Sequence, residues 1–319
     1  RALAHIDQSQ EGIVYPDGVH FLDCRTDEAC TEEDSRVQQD TGMDIVFVHG
    51  LAGGPFMTWR TQAAGSDSWA DIEEGCESVV WPTDWLSKDF PSARILTVGY
   101  RTSLVDSDNT TLSLQAQGEQ LLEKLVRAGV GQRPVVWICH SLGGLLAKEI
   151  MMSAGTSREA AVSSVADQSM GVVFYATPHF GASLANFFSS SYSPGSMLKP
   201  FAAKHVADMK LADPHLDDSN QALRERFARG RLSVLSFGEG TVTPLLRAMG
   251  VALRAEVVAM ESAWPGFGDL IVLDDADHLT ACKPASREDI AYTRLVGFLN
   301  ERTEDIRRRS GPGMEFFFS

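Results

Sequence analysis

The stretch VVWICHSLGGLLAKEI, residues 135–150, decides how the chain is read. It opens as an apolar, β-branched run of the kind that forms a buried strand, and it closes as a helix-like run. Between the two stand Cys139, His140, Ser141, Leu142 and Gly143. A strand that turns sharply into a helix at a serine lifts the hydroxyl above the sheet edge. It also leaves the following amide free at the helix N-terminus. The usual form of such a turn is Gly-x-Ser-x-Gly, because small residues on both sides let helix and strand close on one another. Gly143 meets the second requirement. Cys139 stands where the first glycine would be; it is larger but still small, and its side chain can tuck against the core. The turn is therefore permitted, with Ser141 as the candidate nucleophile.

A serine hydroxyl is a weak nucleophile at neutral pH. It needs a base, an acid to orient that base, and donors for the oxyanion. On a strand–turn–helix scaffold the chain order is nucleophile, acid, histidine. VLDDADHLTACKP (272–284) places His278 just past a strand end, where the base belongs. SVLSFGEG (233–240) places Glu239 at the tip of an earlier strand, a good seat for the acid. Asp274, Asp275 and Asp277 are rivals, but they are too near His278 in sequence to reach its far nitrogen easily. Asp269 precedes its strand and is a weaker rival. VFVHGLAGG (46–54) is a strand ending in His-Gly-x-x-Gly, which assigns the oxyanion donors to the Leu51 and Leu142 amides. His49 and His140 flank these motifs and read as structural; His179 is a candidate for lining the pocket. His278 with Cys282 would be half a metal site, but no second pair has ligand spacing, so no metal or cofactor is expected.

Working outward, strand-like runs recur at 44–50, 93–100, 134–140, 171–178, 231–239, 255–260 and 268–275. Several are apolar throughout, as in a parallel sheet covered on both faces. Helical patterns lie between them. Residues 115–128 carry Gln117, Leu121, Leu122 and Leu125 and stop at Gly129. Residues 286–307 open with Ser286 and Asp289, a capping-box pattern, and put Ala291, Leu295, Phe298 and Leu299 on one face. The expected fold is α/β: a mostly parallel central sheet with helices on both faces and a cap insertion. The domain is expected over 44–308, with the cap over about 182–230, an acidic leader over 1–43 and a tail over 309–319. The leader holds one strand-like piece, Gly18 to Leu22. Residues 60–90, rich in Trp and Asp, are read as a second insertion over the site.

The 319 residues carry a net charge of −15 with 44% hydrophobic content, ample for a core. That charge argues against nucleic-acid binding, which needs a basic surface. The five cysteines point to a reducing compartment, with a Cys24–Cys30 bridge as the alternative. No apolar run reaches membrane-spanning length. The cap is apolar and mildly basic, with seven Lys/Arg against five Asp/Glu over 199–231. The chain opens at Arg1, as expected of a processed form or a piece of a longer protein.

Seven stretches together resemble one family. They are DIVFVHGLAGGPFMTWR (44–60), WPTDWLSKDFPSARILTVGYRTSL (81–104), RAGVGQRPVVWICHSLGGLLAKEIM (127–151), GVVFYATPHFGASLA (171–185), SFGEGTVTP (236–244), VVAMESA (257–263) and GDLIVLDDADHLTACKP (268–284). The chain resembles the serine active site-containing protein family, α/β-hydrolases within a wider group of serine esterases and lipases. The resemblance implies the same three residues, Ser141, His278 and Glu239, and makes Cys139 an ordinary departure. It implies a hydrolase or acyltransferase acting on an acyl ester, with phospholipid first and peripheral membrane contact through the cap. It also implies a mitochondrial setting or mitochondria–endoplasmic reticulum contacts. The rival expectations are a soluble carboxylesterase or thioesterase, and a non-catalytic scaffold that keeps the fold.

Overall fold

The computed structural model describes residues 17–22, 42–51, 53–61, 79–100, 113–180, 214–248, 251–255 and 257–310. Its centre is a seven-stranded sheet. In chain order the elements are β1 (Gly18–Phe21), β2 (Asp44–Val48), β3 (Arg94–Gly99), α1 (Leu114–Arg127), β4 (Val135–His140), α2 (Leu142–Thr156), α3 (Ala160–Gln168), β5 (Ser169–Tyr175), α4 (Pro214–Ala228), β6 (Ser233–Glu239), β7 (Thr243–Ala248), β8 (Val251–Ala255), the short α5 (Met260–Ala263), β9 (Asp269–Leu273) and α6 (Ile290–Ser310). The strand order is β1-β3-β2-β4-β5-β6-β9. Every pairing is parallel except β1 with β3. The strand-like piece in the leader is thus the antiparallel edge of the main sheet.

The uniformly apolar strands follow from burial on both faces. Ile45, Phe47, Val136, Ile138, Val173 and Tyr175 face one core, which α6 closes with Leu295, Phe298 and Leu299. Val46, Val48, Trp137, Cys139, Val172 and Phe174 face the other, beneath α1, α2, α3 and Leu223 of α4. Alternate residues of one strand thus enter opposite cores, as the two-residue period of a strand requires. The chain runs outward from β2 to β3, then returns past β2 to β4. The loops after β2 and β4 therefore part at the carboxyl edge of the sheet, the usual place for a site in an open α/β fold.

Several expectations change. The run at 255–260 is not a strand of the sheet. β8 ends at Ala255 in a separate antiparallel hairpin with β7, and Val257 and Val258 follow as buried irregular chain. Residues 214–228, inside the stretch read as cap, form α4 and bury Leu216 and Leu223 in the two apolar clusters beside the sheet. Within the described part of the stretch at 60–90, Trp81 and Leu86 are fully buried core, and Trp81 meets Phe47 edge-on, as Trp59 just before the stretch also does. A π-helical turn at Pro82–Leu86 runs on through Ser87–Asp89, and Asp89 accepts from the Tyr292 hydroxyl of α6. The last helix starts at Ile290, not near Ser286. Asp289 is its N-cap, its carboxylate accepting from the amides of Ala291 and Ala285 at 2.8 and 2.9 Å. The Cys24–Cys30 pair, residues 182–213 of the cap, residues 62–78 and the tail from 311 on lie outside the described residues.

Candidate active site

Ser141 sits between the last residue of β4 and the first of α2 with φ 52° and ψ −126°. A non-glycine residue at positive φ costs on the order of 1–3 kcal/mol and persists only where its surroundings enforce it. Three contacts do so here. The Ser141 amide donates to the Tyr175 carbonyl at 2.9 Å. A Cβ on Gly143 would stand 2.2 Å from the Val48 oxygen and 2.4 Å from that of His49. A Cβ on Gly144 would meet Thr177 Oγ1 at 2.2 Å. The helix therefore starts wedged between the ends of β2 and β5, and only glycine allows that approach. Cys139 packs its free thiol fully into the core behind the turn, so its extra bulk never enters the elbow.

This wedge gives a direct test. Gly143→Ala is expected to cost about 3 kcal/mol, the upper range for overpacking, because the obstructing atoms are backbone. Gly155→Ala in the same helix meets nothing closer than Ala166 Cβ at 3.8 Å and should be neutral or slightly stabilising. Urea unfolding of the two variants checks this; equal midpoints would refute the steric account.

His278 brings Nε2 to 2.9 Å from Ser141 Oγ. Its Nδ1 lies 3.8 Å from Glu239 Oε1, within ion-pair range and beyond hydrogen-bond length. Glu239, the last residue of β6, also receives the Val258 amide on Oε1 and the Thr243 hydroxyl on Oε2, the latter at 3.5 Å. The three residues are 2–4% exposed. Burial, aided by His140, holds the His278 imidazole well below its usual 6.5, so it is neutral and able to accept a proton at pH 7. The rival acids are placed elsewhere. Asp277 spends its carboxylate on Leu279 and Thr280 of its own turn. Asp269, Asp274 and Asp275 are exposed.

Leu142 is the first residue of α2, so its amide is one of the donors that the helix leaves without an internal partner. Leu51 follows Gly50, at which a Cβ would lie 2.8 Å from Ser141 Cβ. The turn after β2 therefore lies directly against Ser141. His49 stacks on Tyr100, whose hydroxyl donates to the His49 carbonyl. His179 is fully buried and edge-on to Phe174, which makes it a packed residue of the β5 end rather than an exposed lining group. Two contacts of the His278 backbone have no signal in the sequence. His140 Nε2 lies 2.8 Å from the His278 carbonyl, and Thr243 Oγ1 accepts the His278 amide at 3.0 Å. No local pattern announces either one, since the partners are 138 and 35 residues apart.

The model of the alpha/beta hydrolase family matches residues 45–296. Protein SERAC1 of Mus musculus is 35% identical over 310 residues, covering 94% of this chain and 44% of that protein. Protein SERAC1 of Homo sapiens matches with the same identity and coverage. The chain thus spans less than half the length of these curated relatives. Among solved structures, the mature form of a Bacillus licheniformis lipase aligns with a TM-score of 0.52 and 16% identity. The alignment covers 79% of this chain and 91% of that one. A carboxylesterase structure from Nitrososphaera gargenis gives 0.52 and 15%, over 82% and 92%. At these identities the structural likeness speaks for the fold.

Proposed function

The chain belongs to the alpha/beta hydrolase family, and from that premise we propose that it is a serine hydrolase or acyltransferase working through an acyl-Ser141 intermediate. The observation that carries this reading is the 2.9 Å approach of His278 Nε2 to Ser141 Oγ, made at a strained strand-to-helix turn. Ser141 Oγ attacks the ester carbonyl carbon while its proton passes to His278 Nε2. The oxyanion forms against the Leu51 and Leu142 amides; losing one such donor typically costs about 3 kcal/mol in the barrier. The intermediate collapses, the C–O bond to the leaving alcohol breaks, and His278 returns the proton to that alcohol. Water, or an acceptor alcohol, then gives its proton to His278 and attacks the acyl carbon. The second intermediate collapses, the bond from that carbon to Ser141 Oγ breaks, and His278 returns the proton to Oγ, releasing the acid or the new ester. Glu239 holds the imidazole in the tautomer with hydrogen on Nδ1 and stabilises the imidazolium.

The proposed substrate is a lipid ester, with a phospholipid first. The family resemblance supports it, as does the apolar composition of 182–213, which carries five charged residues among thirty-two. Lifting an acyl chain from a bilayer costs about 0.8 kcal/mol per CH₂, so an enzyme doing so needs an apolar shelter. The proposed setting is the mitochondrion or its contacts with the endoplasmic reticulum, with this segment turned toward the membrane. The charge of −15 favours a second reading, a soluble carboxylesterase or thioesterase, because anionic membranes repel an acidic chain.

A fluorophosphonate probe tests the reaction class. Wild-type chain is expected to form an adduct that maps to Ser141 and vanishes in Ser141→Ala. A folded protein that takes no adduct would instead fit a non-catalytic scaffold. Hydrolysis of short soluble esters with no gain at a lipid interface would select the second reading.

A further inference from the structure

A base 2.9 Å from its nucleophile is useful only if its own backbone stays still. His278 lies in the turn-rich segment after β9, outside any helix or strand. Its ring has few means of self-correction: it is 4% exposed and faces Ser141 on one nitrogen and Glu239 on the other. Whatever fixes the His278 peptide fixes the Ser141–His278 distance.

Two buried side chains do this. His140 is 6% exposed and neutral, its pKa lowered to about 4 by burial. Because its Nε2 faces a carbonyl, Nε2 must carry the hydrogen and donate to it. That carbonyl belongs to His278, 2.8 Å away, and the two rings lie 5.1 Å apart. Thr243 is fully buried; its Oγ1 accepts the His278 amide at 3.0 Å. The same hydroxyl then has its hydrogen free for Glu239 Oε2 at 3.5 Å. His140 precedes Ser141 in the chain, and Thr243 stands at the start of the hairpin that follows Glu239. The segment of the nucleophile therefore grips the carbonyl of the base, and the segment of the acid grips its amide.

We infer that His140 and Thr243 are positioning residues, which hold the two backbone polar groups of His278 so that nucleophile, base and acid share one frame. The inference rests on the serine-hydrolase reading and deepens it. Neither residue touches the reacting atoms. Their effect passes through the placement of His278, where a shift of about 1 Å can cost on the order of 100-fold in rate.

The experiment is the kinetics of fluorophosphonate labelling on the full chain, separating the rate constant from the final extent. His140→Leu removes the donor; His140→Gln places an amide hydrogen where Nε2–H stood. Thr243→Val removes the hydroxyl at constant shape; Thr243→Ser keeps it. The expected result is a rate constant lowered roughly 10- to 100-fold in His140→Leu and Thr243→Val, with full final labelling. His140→Gln and Thr243→Ser should regain most of that rate. A purely structural role would lower the final extent and the melting temperature, and leave the rate constant of the folded fraction unchanged. Wild-type rate constants in the Leu and Val variants would overturn the inference, as would lowered rates that Gln and Ser fail to restore. If His140→Leu does not fold, the Thr243 pair decides. Absence of labelling in the wild type would defeat the serine-hydrolase reading, and this inference with it. Wild-type labelling with unaffected variants defeats the inference alone.

Discussion

His278→Ala is expected to lower ester hydrolysis by about six orders of magnitude, while Glu239→Gln lowers it by about four. In the proposed mechanism the asymmetry follows from the role of each group. Without His278 nothing takes the proton from Ser141 Oγ, and nothing returns one to the leaving alcohol, so both halves of the reaction stop. Glu239→Gln leaves a proton acceptor in place, because His278 Nε2 still stands 2.9 Å from the hydroxyl. A glutamine can still accept the Val258 amide, but it carries no charge to stabilise the imidazolium and permits the wrong tautomer. Single-turnover release of p-nitrophenol from a short ester measures both variants. The double variant Ser141→Ala/His278→Ala should be no slower than either single one, since the pair acts as a unit. A His278→Ala protein that kept a tenth of the wild-type rate would remove His278 as the base.

The residues that the sequence exposes and those it hides differ in a physical way. Ser141, His278 and Glu239 lie next to strand ends, and strand ends are readable from apolar runs that stop at polar or glycine residues. The parallel centre of the sheet follows the same logic, because β2, β4 and β5 are buried along their whole length, whereas the strand order comes only from the fold. Val257 and Val258 misled that reading. They are β-branched and buried, yet the chain there bends to deliver the Val258 amide to Glu239 instead of pairing with a neighbour. Apolar content reports burial, and burial alone does not distinguish a strand from a packed loop. Trp81 departs in the opposite sense: it lies in the Trp- and Asp-rich stretch 60–90 that reads as an insertion over the site, but it fills the core against Phe47. The capping-box pattern puts the helix start at Ser286, and only the bonds made by the Asp289 carboxylate place it at Ile290 instead. His140 and Thr243 carry no local signature at all, since their partners come together only on folding.

The chain is expected to lose stability steeply as pH falls from 6.5 towards 4. Among the described residues four histidines are buried, and each is held below the ordinary value of 6.5 chiefly by desolvation. His49 and His140 are lowered to about 4, and His179 and His278 lie well below 6.5. In the unfolded chain all four take up a proton near 6.5. Between about 4 and 6.5 the unfolded state therefore binds more protons than the folded one. Stability rises with pH across that window and is lost as pH falls through it. For His49 and His140 the shift from 6.5 to about 4 corresponds to about 3 kcal/mol each. Domains are stable by only about 5–15 kcal/mol, so two such groups are enough to bring unfolding within reach. Asp44 works the other way, since burial raises its carboxyl despite Arg94, and it offsets part of the loss at the acid end. Urea midpoints measured from pH 8 to pH 4 test this: a plateau above 6.5 and a fall below it is expected, and a flat profile would refute it. The consequence reaches the chemistry. The burial that keeps His278 neutral at pH 7 is also what makes protonation destabilising. The acid limb of Ser141 labelling should therefore follow the folded fraction rather than a simple titration of His278 in an intact site. Labelling rate divided by folded fraction should stay level through the pH range in which the chain unfolds.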